Sequence, residues 1–149
     1  MYKRILAPID GSPTSNQGLV EAVALAADQR AELMLLHVLD ALVWMADLTG
    51  MENVSELPAF LRKNREELLA EAKKSIAEQG VEAQTVLRET LGGRVAEMIL
   101  KEAGDWGADL IVMGTHGRRG LTHLVLGSDA EAVLHGARVP VLLIRGPVP

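Results

Sequence analysis

The sequence predicts an α/β protein built on a single open five-stranded parallel sheet with helices on both faces. Five short apolar runs alternate with four segments whose apolar residues recur at helical spacing. Such alternation favours parallel strands joined by right-handed helical crossovers. With 149 residues, 48% of them hydrophobic, the chain has the size of one domain and can fill one core, so residues 1–149 are expected to form a single domain.

Ile5 to Ile9 reads as a buried strand. Ser12 followed by Pro13 starts a helix, because the serine oxygen can accept from a free first-turn N–H and proline is preset for that turn. Leu19, Val23 and Ala26 continue the helix to about Gln29, and Glu32 to Leu39 forms the second strand. From Ala41 to Glu56 the apolar residues, Trp44 and Met45 among them, follow no clean period, and the stretch reads as a partly ordered covering loop. Pro58 opens a long helix through Gln79 with Leu61, Leu68, Ala72 and Ile76 facing inward, and Gly80 is placed to end it. Val81 to Leu87 alternates like a third strand. Val95, Ile99 and Ala103 mark the third helix, and Leu110 to Met113 the fourth strand. Ser128 to His135 forms the fourth helix, with Ala130, Val133 and Leu134 on one face, and Val141 to Ile144 the fifth strand. The chain has no internal repeat.

Bulk properties exclude several classes. Lys+Arg 15 against Asp+Glu 20 gives a net charge of −5, which argues against nucleic acid, where affinity rests on neutralising phosphates. Without cysteine there is neither a disulfide framework nor a thiolate site. Lys3 and Arg4 precede only a short apolar stretch broken by Pro8 and Asp10, and no run approaches the roughly 18 residues of a membrane span. A soluble cytoplasmic protein is expected.

The chemistry concentrates between the fourth strand and the fourth helix. Gly114-Thr115-His116-Gly117, nine further residues and then Gly127-Ser128 form a glycine-punctuated strand-loop-helix unit. Such a unit aims backbone N–H groups and the positive end of a helix dipole at one spot, which suits an anion such as phosphate. Gly114, Gly117 and Gly127 can adopt positive φ and let main chain approach a ligand closely.

This Gly-x2-Gly-x9-Gly-Ser spacing resembles that of the nucleotide-binding universal stress proteins. Ala108-Asp109-Leu110-Ile111-Val112-Met113 before the loop, Gly117-Arg118-Arg119-Gly120-Leu121 within it and Val139-Pro140-Val141-Leu142-Leu143-Ile144-Arg145 after it resemble that family too. So do Ile5-Leu6-Ala7-Pro8-Ile9-Asp10-Gly11-Ser12 and Leu35-Leu36-His37-Val38. The resemblance fails mainly between about Asp40 and Leu57. It implies a Rossmann-like fold of the adenine nucleotide alpha hydrolase type, with strand order 3-2-1-4-5 and a site beside the reversal between strands one and four, where open α/β sheets bind ligands. It also implies ATP or AMP as ligand with Mg2+, and a homodimer formed through the strand Val139 to Ile144.

The residues so assigned are Pro8, Asp10, Val38, Met113, Gly114, Gly117, Arg118, Gly127, Ser128 and Asp129, with Asp10 the residue for magnesium. Each has a structural competitor. Asp10 suits ribose hydroxyls or a magnesium ion near the phosphates, yet after a strand it can equally cap the next helix or form an Asx turn. Val38 resembles the position whose main chain reads the adenine edge, while its side chain alone would be core. Ser128-Asp129-Ala130-Glu131 has the form of a capping box, with Ser128 accepting from a first-turn N–H, whereas the resemblance assigns Ser128 to phosphate. Arg118 and Arg119 suit phosphate oxygens but also read as solvated loop charges. Asp129 departs from the family pattern, which has a small or apolar residue there, often valine. His116 and His123 lack the partners a metal site needs; His37 reads as a satisfied core histidine, and His135 suits a helix C-terminus.

There is no Walker lysine, no Gly-x-Ser-x-Gly elbow, no catalytic triad and no clear base for hydrolysis. Three functions remain: a stress-response regulator governed by bound nucleotide, a slow Mg-dependent ATPase using Asp10 and Arg118, and a dimeric interaction protein that binds no nucleotide. The intact glycine motif favours the first two, and at most weak hydrolysis is expected.

Overall fold

Alternate residues of the first strand are buried against different layers, because both faces of the sheet are covered. In a computed structural model, which describes residues 1–43, 57–116 and 126–146, strand β1 spans Arg4–Pro8. It is followed by helix α1 (Pro13–Gln29), β2 (Glu32–Asp40), helix α2 (Leu57–Glu78), β3 (Ala83–Thr90), helix α3 (Val95–Trp106), β4 (Leu110–Gly114), helix α4 (Ser128–Gly136) and β5 (Val141–Ile144). The strands form one parallel sheet in the order β3-β2-β1-β4-β5. Ile5, Ala7, Leu33, Leu35 and Val112 pack with Ala22, Val23 and Ala26 of α1 and Leu69 and Ile76 of α2. Leu6, Met34, Leu36 and Ile111 pack with Ala96, Ile99 and Ala103 of α3 and Ala130 and Val133 of α4 on the other side. Burial on both faces explains why the strands are continuous apolar runs.

Helix boundaries follow local chemistry. The Ser12 hydroxyl accepts from Ser15 N at 3.2 Å to cap α1. Gly80, at φ 80°, ends α2, with Val81 N reaching back to Ile76 O.

The elements differ from the sequence reading in four places. On α2, Leu69 takes the inward position assigned to Leu68, because the buried row runs Leu61, Arg65, Leu69 and Ile76, and the apolar stem of a charged residue occupies one of its places. Strand β3 begins at Ala83 and runs on to Thr90; Val81 is buried in the turn before it. Leu134 is 48% exposed, since the inward face of α4 is carried by Ala130 and Val133. Residues 41–43 are helical, and the remainder of the proposed covering loop lies outside the described residues. Among the described residues no helix is long and apolar enough to cross a membrane.

Candidate functional site

Strand lengths create a crevice at the carboxyl edge of the sheet. Pairing of β1 with β2 stops at Pro8 and Leu36, whereas β2 and β3 stay paired to Asp40 and Thr90. The β2-β3 ribbon therefore rises four residues, about 13 Å at strand spacing, above the point where β1 ends. On the other side of β1, β4 continues to Gly114, opposite Ile144 of β5. The order of the strands reverses between β1 and β4, so the crevice lies where open α/β sheets bind ligands.

The main chain of β2 faces this opening at Val38. Glu32 N donates to Lys3 O and Leu36 O accepts from Ile9 N, so even-numbered residues of β2 direct their N–H and C=O groups toward β1. Val38 directs its own pair the same way, beyond the last residue of β1. Its half-buried side chain packs with the α3-α4 layer. His37 fixes the departure of the neighbouring chain: its buried ring donates from Nδ1 to Ile9 O at 2.6 Å, which settles it as a satisfied core histidine.

Asp10 leaves β1 in an Asx turn, accepting from Ser12 N at 2.8 Å, while its own N–H donates to Ser15 Oγ at 3.0 Å. Gly11 between them holds φ 81°, a conformation that disfavours other residues. These contacts accomplish the turn role expected as the alternative for Asp10.

The opposite wall is made by the end of β4 and the start of α4. Thr115 joins them: its N–H donates to Ile144 O at 2.9 Å and its carbonyl accepts from Gly127 N at 2.7 Å. That clamp sets Gly127, Ser128 and Asp129 beside Gly114. The first intrahelical bond runs from Glu131 N to Gly127 O, which leaves the amides of Ser128, Asp129 and Ala130 without helical acceptors. They are a donor set for an anion.

Three expectations for this wall are corrected. Ser128 does not cap α4: Gly127 is the N-cap residue, with no side-chain capping bond, and Ser128 is the first residue of the helix. The capping box therefore does not form, because its hydroxyl lies one position too far along. Neither Gly114 nor Gly127 uses positive φ; Gly127 sits at φ −58°. Gly114 is small for another reason. A Cβ there would lie 2.9 Å from the main chain and methyl group of Thr14, and one on Gly18 would lie 3.1 Å from Gly114 N, so α1 and β4 meet nearly backbone to backbone. Pro8 is half-buried at the end of β1, and Met113 packs its side chain into the core, leaving only main chain for the site. Gly117, Arg118, Arg119 and His123 lie outside the described residues.

Asp40, at the end of β2, borders the crevice and was not singled out by the sequence reading. Its Oδ1 accepts from Leu42 N at 3.0 Å and Gly92 N at 3.2 Å, tying the ends of β2 and β3 together. The available signal was an aspartate just past an apolar strand, the same placement that singled out Asp10. The Asp129 carboxyl is pushed above the usual range by partial burial, then by the charges of Asp10 and Asp40. The crevice is thus acidic on three sides and rich in amides at one end. Among the described residues no three metal-ligating side chains converge. The raised wall is braced from both faces: Arg88 pairs with Glu102 of α3 at 2.7 and 3.2 Å, and Arg62 of α2 pairs with Glu89.

Comparison with known proteins agrees with this architecture. Residues 1–145 match the model of the universal stress protein family. Universal stress protein YxiE of Bacillus subtilis is 38% identical, the alignment covering 97% of this chain and all of that protein. Universal stress protein MJ0531 of Methanocaldococcus jannaschii is also 38% identical, over 99% of this chain and 84% of that one. The solved structure of MJ0577 from the same organism, 31% identical, superposes with a TM-score of 0.83 over 100% of this chain and 99% of that one. A universal stress protein of Archaeoglobus fulgidus, solved in complex with dAMP, shares the fold at a TM-score of 0.68 and 24% identity, over 96% of this chain and 98% of that one. The chain belongs to the universal stress protein family.

Proposed function

We propose that this protein binds an adenine nucleotide, ATP or AMP, in the crevice between β1 and β4 and acts in stress response as a nucleotide-dependent regulator. One observation carries the reading: the main-chain pair of Val38, turned toward β1 beyond its last residue, and the α4 amides without helical acceptors stand on opposite walls, with Asp10 just past the end of β1 between them. An adenine edge needs one donor and one acceptor side by side, as Val38 offers, and phosphate needs converging N–H groups, as Ser128 and Asp129 offer. Asp10 then faces the ribose hydroxyls. Pro8, Met113 and Gly114 line the floor, and Gly117, Arg118 and Gly127 complete the phosphate loop. That a relative of the same fold was solved with dAMP supports the class of ligand.

Magnesium fits the site as a shared ion. Mg2+ is commonly held by one or two carboxylates together with phosphate oxygens, and Asp10 supplies one such carboxylate. When bound, the ion neutralises phosphate charge in an otherwise acidic crevice. Mass spectrometry of small molecules released from gently purified protein tests the reading, and an adenine nucleotide is the expected finding. Release of a different ligand class in stoichiometric amount would overturn it.

We also propose a homodimer through the segment Val139 to Ile144. Strand β5 is an edge strand, and Leu142 on it is 37% exposed. An apolar edge left unpaired invites pairing with another chain, and a second copy joined across a two-fold axis satisfies both edges at once. Leu142→Lys is expected to convert the dimer to a monomer in light scattering. A wild type that is already monomeric at micromolar concentration contradicts this assembly.

A further inference from the structure

We propose that Arg88 and Glu102 are positioning residues for recognition of the base, their ion pair holding the stretch of β2 that carries Val38. The proposal rests on the reading of the crevice as an adenine nucleotide site. Beyond Leu36 the second strand has lost its β1 neighbour, and β2 and β3 run on to Asp40 and Thr90 as a two-stranded ribbon. Two strands alone are marginal in water and need packing against another element. Val38 stands in this ribbon, in register with Arg88 of β3. On the face turned to α3, the apolar contacts of this region are the half-buried Val38 and Val86.

Arg88 adds a directional link. Its guanidinium donates to Glu102 of α3 through Nε at 2.7 Å and Nη2 at 3.2 Å, a fork that fixes direction as well as distance. Glu102 lies in the buried row of α3 with Ile99 and Ala103 and is 7% exposed. A carboxylate so buried is unfavourable unless paired, so β3 cannot draw away from α3 without stranding it. His37 and Leu39 direct their main-chain groups to β3, and Val38 between them is held with that strand. Its N–H and C=O thereby keep the spacing and direction that an adenine edge requires. Arg62 and Glu89 brace the opposite face, but both side chains are well exposed and water screens that pair more strongly.

Calorimetric titration with AMP and with inosine monophosphate tests the assignment. The two share ribose and phosphate, and inosine presents donor and acceptor in reverse order at the edge that Val38 would read. Wild type should prefer AMP. Arg88→Met keeps an apolar stem and removes the fork. It should weaken AMP about three- to tenfold, the effect of one or two neutral hydrogen bonds, and keep inosine monophosphate within about twofold, so the preference shrinks. Glu102→Gln, an isostere of the buried partner, should shift the preference the same way by less, and the double variant should lose no more than Arg88→Met. Should Arg88→Met not fold, Glu102→Gln carries the same comparison. Arg88→Lys should recover part of the preference through charge without the fork. In ligand-free Arg88→Met, exchange of the Leu39 amide with solvent should accelerate by a larger factor than that of Leu35 in the core. An unaltered preference in the folded variants overturns the assignment, as does equal loss of both nucleotides or equal acceleration of the two amides, and each leaves nucleotide binding standing. A wild type that binds neither nucleotide, or binds both alike, refutes the adenine reading of the crevice and this inference with it.

Discussion

Gly114→Ala is expected to destabilise the protein by about 1–3 kcal/mol, the usual cost of forcing an extra carbon into a packed interior. For a chain of this size that lowers the melting temperature by about 3–10 °C. The added Cβ would meet the carbonyl carbon, the oxygen and the methyl group of Thr14, all at 2.9 Å, and backbone atoms cannot swing aside as a flexible side chain can. The effect should appear in ligand-free protein, because it arises from the contact of α1 with β4. An unchanged melting temperature would show that the helix and strand have room to separate, and would return Gly114 to a role at the ligand alone.

The second large effect concerns Asp129. Its folded-state pKa is raised, by burial first and then by Asp10 and Asp40. A raised carboxyl contributes stability that is present below its unfolded value, about 3.9, and is lost as the pH rises through the folded value. Wild type should therefore lose stability relative to Asp129→Asn as the pH climbs from below the ordinary aspartate value up through the raised value of the folded protein. Asp129 remains exposed over more than a third of its surface, so solvent screens part of the effect. In the proposed complex the same charge would lie near phosphate, where like charges a few ångströms apart cost on the order of 1 kcal/mol or more. Asp129→Asn should bind ATP about five- to tenfold more tightly than wild type in EDTA, and the gap should close when magnesium is added. Equal affinities in EDTA would mean that the carboxylate points away from the phosphates.

Much of this architecture was legible because local and long-range signals agreed. Ser12-Pro13 marked a helix start and Ser12 is its cap, and the continuous apolar runs marked strands buried on both faces. The candidate site was placed from two sides, since the glycine spacing and the strand order that the family resemblance implies select the same end of the sheet. Misreadings arose where a side chain acts against its type. Arg65 occupies a buried place on α2, which broke the apolar row and drew the helix face toward Leu68. Arg88 and Glu89 looked like the end of a strand, yet β3 continues through them because each has an ion-pair partner on a neighbouring helix. Gly114 was read as a ligand-facing glycine because sequence cannot display Thr14 beside it. Asp40 was passed over because its tie to Gly92 spans 52 residues of chain and no local pattern encodes it.

The claim that the crevice between β1 and β4 holds an adenine nucleotide is tested most directly by calorimetric titration of the purified, ligand-stripped protein with ATP and magnesium. Saturable binding of one nucleotide per chain is expected. A ligand that binds only the folded state adds about 2.7 kcal/mol at a hundredfold excess over its dissociation constant, so the melting temperature should rise by about 5–10 °C. Gly117→Val should abolish both signals while the protein stays folded. A stripped, folded wild type that shows neither binding heat nor a shift in melting temperature with ATP or AMP at millimolar concentration would contradict the account.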